Sequence, residues 1–212
     1  VKCWAVNHEP RDRKITKETI ARNEIYINAS LSQASCKNIL RYRGYGRRNV
    51  TFKITTLKHP LHCSSYYIYT DYARAGDLTL LVDSAAEPRQ KGHAISEHYI
   101  WYTLKCLVDA LCVLRDGICP ERTSKSGDAA TALSQPWISV IHNDIKLENV
   151  FLGDNDETYK SYKRILLADF DLSIKHWPGV SEAEHVAAFR HLGTPDWFPP
   201  VKSFAPVFSS IY

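Results

Sequence analysis

His142-Asn143-Asp144-Ile145-Lys146-Leu147-Glu148-Asn149-Val150, HNDIKLENV, sets a cluster of polar side chains between the apolar run WISVIH (137–142) and the aliphatic Val150-Phe151-Leu152. Apolar runs on both sides anchor such a loop, so its polar groups are held at a fixed rim. Twenty residues after Asn149, Asp169 sits at the tip of another very apolar stretch, RILLADF (164–170). Two anchored acids, Asp144 and Asp169, and the amide of Asn149, converging on one spot, suit a hard, oxygen-liganded cation such as magnesium. Lys146 beside them suits a phosphate. Either stretch alone reads equally well as a strand-end turn, because Asn and Asp favour turns. Both together, in this order and spacing, point to a site.

Working outward, residues 137–142 and 164–170 are predicted strands framing the polar loops. Upstream, Ser96 to Arg115 is a predicted helix with Ser96 as N-cap and Gly117 as stop; Ile100, Leu104, Leu107, Val108, Leu111 and Leu114 form its apolar face. Thr16 to Gln33 has helix character, with Ile20, Ile25, Ile27 and Leu31 at mixed three- to five-residue steps. Residues 1–6, 38–44, 50–58 and 65–72 read as strands, rich in β-branched and aromatic residues. The turn ARAGD ends the last of them, and Asp77 is placed to cap a short helix. From Pro120 to Pro136 the chain is poor in hydrophobic residues and rich in Ser, Thr, Gly and Ala, the composition of a surface insertion with little order. This element order predicts an α+β chain in two lobes, with a boundary near Asp71 to Gly76.

The totals exclude several classes. The chain has 212 residues, 44% hydrophobic, enough for a sizeable core. A net charge of +4 with no run of five like charges gives no ground for a nucleic-acid partner, and suits an anionic small ligand equally well. No apolar stretch reaches the ~18 residues of a membrane span, and no signal-peptide pattern opens the chain, so no membrane partner is expected. Six cysteines without a C-x-x-C pair argue against zinc or a disulfide framework, and for reduced thiols inside a cell, in cytoplasm or nucleus. The nine histidines show no metal-ligand spacing. The chain lacks methionine altogether and is therefore expected to be a piece of a longer or processed protein.

HNDIKLENV resembles the catalytic loop H-R-D-x-K-x-x-N of protein kinases, and ADFD (168–171) resembles their D-F-G metal motif. GTPDWFPP (193–200) is similar to the end of a kinase activation segment. SYYIYTDYARAGDL (65–78) resembles the fifth strand, hinge and ribose-contacting turn, and residues 21–44 resemble helix C and the strand after it. Val1-Lys2 is similar to the tail of the V-A-I-K strand.

The resemblance implies a two-lobed kinase-like fold, incomplete at both ends: a partial small lobe over 1–70 and a partial large lobe over 71–212. It implies transfer of the ATP γ-phosphate to a protein substrate with magnesium, and Lys146 resembles the serine/threonine-specific branch. Asp144 would accept or orient the proton of the attacking hydroxyl, and Lys146 would neutralise charge on the transferred group. Asn149 and Asp169 would hold magnesium. Lys2, paired with Glu24, would contact the α- and β-phosphates. Thr70, Asp71 and Ala73 would line the adenine pocket, and Asp77 would reach the ribose.

Three positions depart from the pattern: Asn143 for the loop arginine, Asp171 for the glycine of D-F-G, and Val201 for the closing glutamate. A neutral Asn143 cannot pair with a loop phosphate as an arginine does. Only Ser173 and Ser181 are phosphorylatable between Asp169 and Gly193, so activation without phosphorylation is expected. Asp171 is expected to affect flexibility more than chemistry. A glycine-rich loop before Lys2 and helices after Tyr212 are expected in the longer protein, with activity weak in residues 1–212 alone. The substitutions leave open a pseudokinase that serves as a binding or scaffold module, although a dead enzyme has no need of Asp144, Lys146, Asn149 and Asp169 together. A small-molecule kinase of the aminoglycoside or choline type shares the loop, but Lys146 and the GTPDWFPP stretch speak against it.

Overall fold

A computed structural model of the chain describes residues 2–7, 17–52, 61–86, 94–120, 136–177, 179 and 193–197. Residues 121–135 of the predicted insertion (120–136), Ser181 and Val201 lie outside these residues. The architecture is α+β. Strands β1 (Lys2–Asn7), β2 (Tyr42–Phe52) and β3 (Leu61–Thr70) form an antiparallel sheet in the order β1-β3-β2. Tyr66 and Ile68 of β3 are buried while Tyr69 is exposed, the alternation of a half-buried strand.

One strand replaces two that the sequence suggested. Residues 38–44 and 50–58 read as separate strands, but β2 runs from Tyr42 through Gly44 and Gly46 to Phe52. Gly44 adopts φ +142°, and the pairing with β3 shifts register between Tyr42 and Gly44 before continuing to Phe52. A glycine inside a strand here marks an irregularity and not an end. Residues 53–60 lie outside the described ones.

Helix α1 (Lys17–Ala34) matches the expected span. Its buried stripe is Ala21, Glu24, Ile27, Asn28, Leu31 and Ala34, a regular three- and four-residue spacing. Two of those positions are polar, which is why hydrophobicity alone gave an uneven pattern. After a turn, residues 38–40 run alongside a later strand: Leu167 N–H donates to Asn38 O at 2.8 Å and Leu40 N–H to Leu167 O at 2.9 Å.

Helix α2 (Leu78–Ala86) begins at Asp77, whose carboxylate accepts the Leu80 N–H at 3.0 Å. Helix α3 (Glu97–Asp116) has the expected ends: Ser96 Oγ accepts from Tyr99 N, and Gly117 closes it at φ +71°. Its inward face differs from the expected apolar one. Tyr102, Cys106, Asp109, Ala110, Val113 and Leu114 are buried, while Ile100, Leu104, Val108 and Leu111 are exposed. Both faces of α3 are apolar, so periodicity could not say which one the core takes.

Short strands then order the site. β4 (Val140–Ile141) pairs antiparallel with β7 (Ile174–Lys175), and β5 (Val150–Asn155) with β6 (Lys163–Leu167). The core joins Ile27 and Leu31 of α1, Val113 and Leu114 of α3, Val150 and Leu152 of β5, and Ile165 and Leu167 of β6. Each such side chain, fully buried, contributes roughly 1.5–3 kcal/mol. Cys106 and Cys119 are buried in this core; these two, Cys36 and Cys112 are all free thiols. Among the described residues, no helix is long and apolar enough to cross a membrane.

Candidate active site

The strand pairings bring distant residues together. Val150 opposite Leu167 places the start of β5 beside the end of β6, so Asn149 and Ala168 touch: Ala168 N–H donates to Asn149 O at 3.0 Å. Ile141 opposite Ile174 likewise sets His142–Asp144 against residues 171–173. There Ser173 Oγ donates to His142 O at 3.0 Å and Asn143 Nδ2 to Leu172 O at 3.0 Å. Ser173 is fully buried, which removes it as an accessible phosphorylation site.

The HNDIKLENV loop is held from within. His142 is buried against Phe170, with ring centroids 4.9 Å apart. Its Nδ1 accepts from Asp144 N at 3.3 Å, so Nε2 carries the proton and donates to Ala168 O at 3.0 Å. Burial lowers the His142 pKa below the usual histidine value, against the opposing pull of that bond and of nearby carboxylates. Asn149, in a single 3-10 turn (Leu147–Asn149), donates through Nδ2 to Asp144 O at 2.8 Å and to Asp144 Oδ2 at 3.0 Å.

Asp144 is the hub. Its Oδ1 accepts from Thr194 N at 2.9 Å and Thr194 Oγ1 at 2.7 Å, while Lys146 Nζ lies 3.2 Å from its Oδ2. Lys146 Nζ also donates to Thr194 Oγ1 at 2.8 Å. Burial disfavours the carboxylate, but the bonds from Thr194 and Lys146 outweigh it and hold the Asp144 pKa below its ordinary value.

A second cluster lies at the end of β1. Lys2 Nζ is 3.3 Å from Glu24 Oε1, 2.5 Å from Asp169 Oδ1 and 3.2 Å from Asp171 Oδ2. Burial opposes its charge, yet Glu24, Asp169 and Asp171 raise its pKa above that of an ordinary lysine. Asp171 is raised by burial and by Asp169, with Lys2 opposing. Asp169 itself takes φ +65°, a left-handed conformation uncommon outside glycine.

Lys2, Glu24 and Asp169 also line a cleft of about 290 Å³. Leu40, Ile68, Phe151 and Phe170 are its apolar lining, and Thr70, Asp71 and Ala73 line it too. The lining thus combines apolar side chains with a lysine and carboxylates. Asp71 is fixed there by an ion pair with Arg43 and by its N–H bond to Arg41 O at 2.9 Å.

Lys2, Glu24, Thr70, Asp71, Ala73 and Asp169 therefore share the cleft. Asp144, Lys146 and Asn149 form a separate linked set, joined to it through the contact between Asn149 and Ala168. Asp77 is not among the cleft-lining residues; its carboxylate caps α2, the bland alternative for an aspartate before a helix. Asn149, with Nδ2 committed to Asp144, keeps its amide oxygen for a cation, and Asp169 adds carboxylate oxygens; such an all-oxygen set fits magnesium. Sequence reasoning missed Thr194, although Gly193-Thr194-Pro195 stood out as a motif. It also undervalued Asp171, which the structure places on Lys2.

No protein-family model matches the chain. It is 28% identical over 163 residues to G2-specific protein kinase nim-1 of Neurospora crassa, an alignment covering 69% of this chain and 17% of that protein. It is 27% identical over 165 residues to G2-specific protein kinase nimA of Emericella nidulans, covering 69% of this chain and 21% of that one. The chain thus spans about a fifth of the length of the curated relatives it matches. With these similarities beside the linked set around Asp144 and the cleft that Lys2 lines, the chain carries a protein-kinase-like domain.

Proposed function

We propose that the chain is the catalytic part of an ATP- and magnesium-dependent serine/threonine protein kinase. On this reading residues 1–70 correspond to a partial small lobe and 71–212 to a partial large lobe. The observation that carries this reading is the joint engagement of the Asp144 carboxylate by Lys146, Asn149 and Thr194, next to the cleft that Lys2 lines. In this reading the backbone at Thr70, Asp71 and Ala73 holds the adenine between Ile68 and Phe151. Asp77, bridged through the backbone to Phe151 of the cleft lining, would reach the ribose. Lys2, steadied by Glu24, neutralises the inner phosphates. Asn149 and Asp169 hold magnesium, which supplies charge neutralisation between the phosphates. Asp144 orients the attacking hydroxyl and takes its proton, and Lys146 stabilises charge on the transferred group. A soluble protein substrate inside the cell is the corresponding partner.

The test is direct. Magnesium and ATP together should raise the melting temperature of the protein, and Asp169→Asn should abolish the rise. Phosphate transfer to a generic basic protein should vanish in Asp144→Asn while ATP binding survives. No shift with the native protein would remove the nucleotide-binding claim. A second reading, a binding module without transfer, is favoured by one observation: Asp171 stands 3.2 Å from Lys2, where the D-F-G pattern has no side chain. ATP binding without transfer would select it.

A further inference from the structure

Among the described residues Lys2 has three acidic partners; the motif glycine that Asp171 replaces would leave two. Glu24, Asp169 and Asp171 bring three negative charges to the one positive charge of Lys2, at 3.3, 2.5 and 3.2 Å. The third is not a drifting surface group. Phe170 beside it is buried, Ser173 N–H donates to Phe170 O at 3.2 Å, and Asn143 Nδ2 holds Leu172 O, so the backbone on both sides of Asp171 is fixed.

A polyphosphate entering the cleft meets a lysine engaged by carboxylates and an excess of negative charge around it. Like charges gathered around one cation repel, more strongly where water is partly excluded. Asp169 and Asp171 would turn to a divalent cation, whose charge would offset the excess, and Lys2 would then be available to phosphate.

We propose that Asp171 is a positioning residue that makes nucleotide binding conditional on a divalent cation, by holding Lys2 away from phosphate until the cation arrives. This rests on the nucleotide-binding reading of the cleft. With Asp169 as the sole carboxylate of the D-F-G segment, free nucleotide would compete for Lys2 far more easily. With Asp171 added, only the cation-bound nucleotide does.

The measurement is the ATP dissociation constant of the protein by titration calorimetry, in EDTA and in magnesium, for the native chain and for Asp171→Asn, Asp171→Gly and Asp171→Glu. The native chain should bind at least a hundredfold more tightly with magnesium. Asp171→Asn and Asp171→Gly should shrink that ratio about tenfold, mainly by tighter binding in EDTA. Asp171→Glu, which keeps the charge, should preserve it. A purely structural role would weaken binding in both conditions alike and leave the ratio unchanged. An unchanged ratio in both neutral variants, with nucleotide still bound, overturns the proposal and leaves the site reading standing. Loss of all nucleotide binding by the native chain in both conditions overturns the site reading, and the proposal with it.

Discussion

Thr194 grips a single oxygen of Asp144 twice, through its backbone N–H at 2.9 Å and its hydroxyl at 2.7 Å, across fifty positions of chain. Lys146 reaches the same hydroxyl at 2.8 Å, so the three side chains form a closed triangle. The carboxylate is held and kept ionised by Lys146 and Asn149 of its own loop together with Thr194 from outside it. A hydrogen bond to a charged group contributes about 1.5–3 kcal/mol.

Thr194→Ala should therefore lower phosphate transfer by about tenfold or more and destabilise the protein by about 1–3 kcal/mol. Thr194→Ser keeps the hydroxyl and should behave close to native. ATP affinity should hardly move, because Thr194 does not line the cleft. Steady-state kinetics beside chemical denaturation checks this; equal rates for the Ala and Ser variants would sink it.

Asn38 is buried and donates through Nδ2 to Ile165 O at 3.1 Å, next to the backbone bonds that join residues 38–40 to β6. Asn38→Ala should cost about 1–3 kcal/mol, since buried polar groups lose their partner. The urea midpoint should fall; an unmoved midpoint would show that water or a neighbour replaces the amide.

The ends of α3 offer a paired test. An added Cβ at Gly117 would lie 2.4 Å from the Trp137 ring, at φ +71°. Gly117→Ala should cost more than about 1 kcal/mol through strain and the clash together. Ser96→Ala, which removes only the cap, should cost about 1 kcal/mol. If the alanine at 117 is the milder change, the Trp137 packing is misjudged.

His142 and Asp144 set two acid windows. His142 has a folded pKa lowered by burial, so the unfolded chain takes up its proton first. Its contribution is complete above about pH 6.5 and declines as pH falls from there toward the lower folded value. Asp144 is also lowered, so its contribution is complete above its unfolded value near ~3.9 and is lost as pH falls through the folded pKa. Melting temperature should thus fall in two stages on acidification. His142→Gln should flatten the upper stage and Asp144→Asn the lower one; melting curves that keep both slopes in these variants would refute the assignment.

Local chemistry was legible in the sequence. Ser96 and Gly117 mark the ends of α3 because caps are read from neighbours in the chain, and HNDIKLENV marked its loop for the same reason. Choices made by tertiary contact were not. The exposed Ile100, Leu104 and Val108 are as apolar as the buried Val113, and only packing distinguishes them. Glu24 and Asn28 broke the apolar rhythm of α1 because they face inward. The partnership of Thr194 with Asp144 has no local signature at all; a threonine before a proline reads as a turn wherever it occurs.

The short ladder between residues 38–40 and Leu167 has a mechanical consequence. It fastens the C-terminal end of α1 to the strand that leads into Asp169, while Glu24 sits ten residues back along the helix, a lever arm of roughly 15 Å at 1.5 Å per residue. A tilt of about 10° around that pivot would carry Glu24 through roughly 2.6 Å on this geometry. The grip on Lys2 would open, and Asp169, near the fulcrum, would stay where it is.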